Sequence, residues 1–110
     1  MQGEVTTNEI FSRLNHGQKF NLLDVRTKNE FDRAHLTGAI LLPLDEITPK
    51  ALEQVGFGEA KKDEEIIVYC LSGPRGDDAV RILKNLGYLN MKNMTGGLLT
   101  WRAQGYDFIV

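Results

Sequence analysis

A chain of 110 residues builds one hydrophobic core and leaves no room for a second, so a single domain spanning 1–110 is expected. With 42% hydrophobic and 25% charged residues the composition is that of a folded globular chain, which excludes a disordered or fibrous one. A formal net charge of −2 supplies no long-range attraction for a nucleic-acid backbone or an anionic membrane surface, so neither is an expected partner.

Taken in chain order, Thr6 caps a first helix running to about Asn15, and Glu9 stands three residues on, where it can reach back to the Thr6 amide. Ile10, Phe11 and Leu14 recur at helical spacing, and Gly17 ends the helix in a left-handed conformation. Phe20 to Val25 is an almost wholly apolar run, the pattern of a strand buried on both faces in a parallel sheet. A brief helix over Asn29 to Ala34 follows, then Gly38 and a second apolar strand, Ala39 to Leu42, ended by Pro43. Thr48 caps the next helix with Pro49 at its first position. Gly56 to Asp63 reads as a polar turn region, and Ile66 to Cys70 is the clearest strand of all. From Pro74 the period becomes helical, with Ala79, Val80, Leu83 and Leu86 as the apolar stripe and Gly87 as the stop. Met91 to Met94 is a further strand, and Gly96-Gly97 leads into a last helix, Leu98 to Ala103, closed by Gly105. Strands alternating with helices imply an α/β fold: a parallel sheet covered by helices on both faces.

The apolar runs fall far short of the roughly 20 residues that span a bilayer. The segment Met1 to Thr7 is polar and lacks the basic and apolar stretches of a secretory signal, which makes the cytoplasm the expected location. One cysteine allows no disulfide within the chain, so any chemistry at Cys70 must finish on another molecule. His16 and His35 with that cysteine do not make a zinc set, and neither metal nor cofactor is expected.

Ligands of open α/β sheets collect beyond the carboxyl ends of the strands, and Cys70 is placed there. The segment Cys70-Leu71-Ser72-Gly73-Pro74-Arg75 runs from a strand end into a helix start, so loop amides converge on the sulfur. A helix amino terminus and a nearby cation both favour the thiolate. Gly73 lets the backbone bend tightly, Ser72 adds a hydroxyl, and Arg75 returns to face the cysteine with a guanidinium suited to an oxyanion or a persulfide. The competing structural reading is that Cys70 is merely a buried strand residue.

Ordered motifs over nearly the whole chain resemble the rhodanese family. Asp24-Val25-Arg26 with Glu30-Phe31, then His35-Leu36-Thr37-Gly38-Ala39-Ile40, is similar to its first signature. Ile67-Val68-Tyr69-Cys70 with Ser72-Gly73 and Arg75, followed by Gly87-Tyr88, Gly96-Gly97 and Trp101, is similar to its second. The resemblance implies a five-stranded parallel sheet with flanking helices. It also implies a sulfurtransferase in which Cys70 carries a persulfide and Arg75 closes a loop whose Leu71, Ser72, Gly73, Pro74 and Gly76 bind substrate. Ping-pong transfer from thiosulfate or a low-molecular-weight persulfide to a thiol, cyanide or protein acceptor follows from it.

Some positions depart from that pattern. Pro74 removes one amide from the loop, and Gly76-Asp77-Asp78 after Arg75 places two carboxylates where they oppose a second anion, so a neutral or cationic sulfur donor is expected. Asp24, Arg26, His35 and Trp101 are expected to serve the fold, Glu30 to pair with Arg26 or a neighbouring backbone group, and Leu71 to lie exposed and touch an acceptor. Two other functions compete. A phosphatase or arsenate reductase also uses a Cys and Arg loop, but with five intervening residues where this chain has Leu71, Ser72, Gly73 and Pro74 alone; the other is a non-catalytic binding or regulatory module.

Overall fold

The computed structural model describes residues 3–110. Five parallel strands, β1 (Glu4–Val5), β2 (Asn21–Asp24), β3 (Ile40–Leu41), β4 (Glu65–Tyr69) and β5 (Asn90–Met94), lie in the order β1-β5-β4-β2-β3. Between and after them run α1 (Thr7–Asn15), α2 (Lys28–Arg33), α3 (Pro49–Gln54), α4 (Pro74–Asn85) and α5 (Gly97–Ala103). None of the helices described is long and apolar enough to cross a membrane.

The central strand β4 divides the core by alternation. Ile66, Val68 and Cys70 face α3 and α4, packing with Leu23, Leu52, Ala79 and Leu83, while Ile67 and Tyr69 face α1 and α5 with Ile10, Leu98 and Trp101. This parity sends the Cys70 side chain towards the start of α4. Trp101 is fully buried, as expected of a core residue, and its Nε1 donates to the Asp107 carbonyl at 2.9 Å.

Local signals explain most element ends. Thr6 Oγ1 accepts from the Glu9 amide at 3.1 Å and Thr48 Oγ1 from the Ala51 amide at 3.1 Å, while Gly17, after α1, has φ 68°. The expected reach of the Glu9 carboxylate back to Thr6 is replaced by an ion pair with Arg13 at 2.8 Å, one turn on. A complete capping box occurs instead at α2, between Thr27 and Glu30. The polar segment Gly56 to Asp63 holds a short 3-10 turn over Glu59–Lys61 and buries Phe57 against the α3 and α4 side. Strand β1 was not expected from the polar amino-terminal segment. Its two residues pair with Asn93 and Met94 at the sheet edge, too few to show a period.

Candidate active site

Strand β4 ends at Tyr69, and Cys70 follows it at 1% exposure at the rim of the α3 and α4 cluster. Apolar neighbours surround the carbon side of this residue, but its Sγ accepts from the Gly73 amide at 3.0 Å and from the Gly76 amide at 3.3 Å. Those amides lie just before and within the first turn of α4, where unpaired N–H groups favour an anion. Gly73 makes the bend possible. Its φ of 129° is closed to residues with a side chain.

The loop is held from two further sides. At the start of α5 the Leu98 amide donates to the Cys70 carbonyl at 3.0 Å and the Leu99 amide to the Leu71 carbonyl at 2.9 Å. A Cβ on Gly97 would collide with both carbonyls, standing 2.6 Å from the Leu71 oxygen, so Gly97 permits the close approach of helix and loop. From β5, Asn93 donates through Nδ2 to the Gly73 carbonyl at 2.9 Å and to the Asp77 carboxylate at 2.8 Å. Its buried Oδ1 has no hydrogen-bond partner among the described residues and occupies the space that a Cβ on Gly76 would need. Sequence reasoning passed over Asn93. A polar residue at an inward position of a strand was the available signal.

Arg75 does not donate to the sulfur. Its Nη atoms hold both oxygens of Glu30 in a fork, at 2.7 and 3.0 Å, across 45 residues of sequence. Hydrogen bonds from Arg75, ahead of those from Thr27, lower the Glu30 carboxyl from 4.5 to about 2, and the pair raises Arg75. Glu30 therefore takes its backbone partner as expected, the Thr27 amide at 3.1 Å, but its cationic partner is Arg75 and not Arg26. Arg26 is committed elsewhere. It is buried against Asp24, with Nε and Nη2 within 3.1 Å of the carboxylate, and donates at 2.6 Å to the carbonyl of Ala34 just after α2.

The other expected site residues divide by exposure. Ser72 and Pro74 are exposed on the loop, and Gly76 is buried beneath it. Leu71 is half-buried against the α1 and α5 cluster rather than exposed, which corrects its expected place as a free contact. Pro74 occupies the first position of α4, so the loop offers no amide there. Asp77 is engaged by Asn93, and Asp78 pairs with Arg81 at 2.8 Å on the outer side of α4. His35 stacks on Phe31 with ring centroids 3.7 Å apart and shares its Nδ1 with the Phe31 carbonyl, a structural role. Clefts flank the loop. One lies beside Arg75, Leu44 and Asp45, the other beside Ser72, Asp77 and Glu4.

Comparison with known proteins agrees with this arrangement. The model of the rhodanese-like domain matches residues 7–104. The probable adenylyltransferase/sulfurtransferase MoeZ of Mycobacterium tuberculosis is 33% identical over 102 residues, which are 91% of this chain and 24% of that protein. A sulfurtransferase of Allochromatium vinosum is 28% identical over 109 residues, 99% of this chain and 96% of that protein. Thus the chain spans about a quarter of the first relative and nearly all of the second. Among solved structures, the rhodanese-like domain of the Alr3790 protein from Anabaena superimposes with a TM-score of 0.84 at 25% identity, covering all of this chain and 80% of that one. On the strength of a family match over residues 7–104 and a shared architecture, this chain belongs to the rhodanese-like domain family.

Proposed function

We propose that the chain is a sulfurtransferase in which Cys70 carries sulfane sulfur as a persulfide. The observation that supports this reading most directly is the pair of amides, Gly73 and Gly76, aimed at Sγ from the start of α4. Two fixed donors on a buried sulfur stabilise negative charge there without reorganisation, whether the anion is the thiolate or a persulfide. In the first half-reaction the Cys70 thiolate attacks the outer sulfur of the donor. A new S–S bond forms as the donor's S–S bond breaks, and the electron pair leaves on the inner sulfur as a thiolate, or as sulfite from thiosulfate. In the second, an acceptor thiolate or cyanide attacks the outer sulfur and returns Cys70 to the thiolate. Both steps are redox-neutral and need no base once the thiolate exists.

Relatives named for sulfur transfer support the same class of chemistry, and the names adenylyltransferase/sulfurtransferase and sulfur carrier protein point to protein acceptors besides small thiols. The test is intact mass after incubation with thiosulfate and, separately, with glutathione persulfide. Wild type should gain one sulfur atom with at least one donor, Cys70→Ser should gain none, and a thiol should discharge it. Absence of the gain with both donors would move the reading to a binding module.

A further inference from the structure

We propose that Glu30 sets donor specificity: by filling the fork of Arg75 it denies that fork to an oxyanion and directs the site towards persulfide donors. The inference rests on the sulfurtransferase reading and adds the donor class to it. Arg75 is the cation of the Cys70 loop, and its planar fork is the group that would recognise the sulfonate end of thiosulfate by paired hydrogen bonds. One N–H of each Nη is already committed to an oxygen of Glu30, at 2.7 and 3.0 Å, and the charge of that carboxylate opposes a sulfonate at the donors that remain. Glu30 is itself fixed by a second set of bonds, from the Thr27 amide and hydroxyl, each at 3.1 Å, so it cannot swing aside without breaking the cap of α2.

What remains around the loop repels a dianion. Asp77 and Glu4 border one cleft; Asp45 borders the other, where Arg26 and Arg75 are already paired with Asp24 and Glu30, and the missing amide at Pro74 removes a neutral donor that could have compensated. A persulfide needs none of these groups. Its outer sulfur is small and is met by the amides that already surround Sγ, and its leaving group is a thiolate whose organic end can carry either charge or none. The carboxylate that bears most directly on the Arg75 fork is thus Glu30; of the two acids named by the sequence, Asp78 is paired with Arg81, while Asp77 is held by the neutral amide of Asn93 and keeps its charge beside the loop.

Glu30→Gln is the informative variant, since glutamine keeps the capping box while surrendering the charge that grips Arg75. Thiosulfate and cysteamine persulfide serve as probes. In sulfur loading of Cys70, the ratio of kcat/KM for thiosulfate to that for cysteamine persulfide should rise roughly tenfold or more in Glu30→Gln. A ratio that stays level or falls overturns the proposal. Calorimetric binding of thiosulfate to Cys70→Ser and to Cys70→Ser/Glu30→Gln reads the same effect without turnover. Tighter binding in the double variant supports the role of Glu30 even if no donor loads the wild type, and equal binding contradicts it even if loading succeeds.

Discussion

Asp24 and Arg26 show how a charged pair close to Cys70 can be built into the fold. Asp24 is fully buried, and its carboxylate accepts from the Arg26 amide as well as from the guanidinium. The guanidinium then reaches the Ala34 carbonyl and lies 5.6 Å from the Tyr69 ring centroid, so one charged pair ties the end of β2 to the far side of α2 and to β4. Burial, with Asp24 second, drives the Tyr69 phenol upward, and its oxygen accepts from the Leu36 amide at 3.0 Å. Removing one partner of such a pair leaves an uncompensated buried charge. Asp24→Asn should therefore cost about 3 kcal/mol or more of stability in urea unfolding. The rate of sulfur loading per folded molecule should fall much less, and a loading rate that collapses while the urea midpoint holds would assign Asp24 to the reaction instead.

At the scale of elements, the sulfur cradle is made where three of them meet: the end of β4, the start of α4, and the face of β5 behind it. Asn93 joins the last two, and the contact between its side chain and Gly76 leaves no room for a Cβ. Gly76→Ala should cost about 2 kcal/mol through overpacking and should slow sulfur loading by displacing the Gly76 amide from Sγ. Combined with Asn93→Ala it should cost clearly less than the two single changes added, because the second change empties the space the first one needs. Strict additivity in a double-mutant cycle would rule out this coupling. Such contacts were illegible in the sequence for a physical reason. Helices α1, α3 and α4 announce themselves through caps, Pro49 or Pro74 at a first position, and apolar spacing, all local signals. The candidate site residues Cys70 and Gly73 were legible as neighbours because the loop is one continuous segment. Glu30 on Arg75 and Asn93 on Gly73 join parts of the chain far apart in sequence, and β1 is ordered by its pairing with β5 rather than by a pattern of its own.

Across the whole molecule, two carboxylates carry charges that stitch separate elements together. Glu30 joins α2 to α4 through Arg75, and Glu65 at the start of β4 joins α1 and β5 through Arg13 at 2.5 Å and Lys92 at 2.9 Å. Hydrogen bonds from Arg75 and from Arg13, respectively, lead in lowering each to about 2 from 4.5. Both are depressed in the folded state, so their stabilisation is complete above the unfolded value near 4.5 and is lost as the pH falls towards 2. With side chains 26% and 24% exposed, each contribution is on the order of 1 to 2 kcal/mol after screening by solvent. Helix α2 has most to lose, since none of its residues is fully buried and it is held by its cap, by Arg26 at its end and by Glu30 on Arg75. Urea midpoints should fall steeply between pH 4.5 and 2, and amide exchange in α2 should quicken before exchange in β4 does. Glu30→Gln should lower the midpoint at pH 7 and converge on wild type near pH 2, because by then the wild-type carboxylate is itself half protonated. Parallel curves for the two proteins across that range would mean that the Arg75 fork contributes nothing to the acid limb, and that α2 is held by its cap, by Arg26 and by packing.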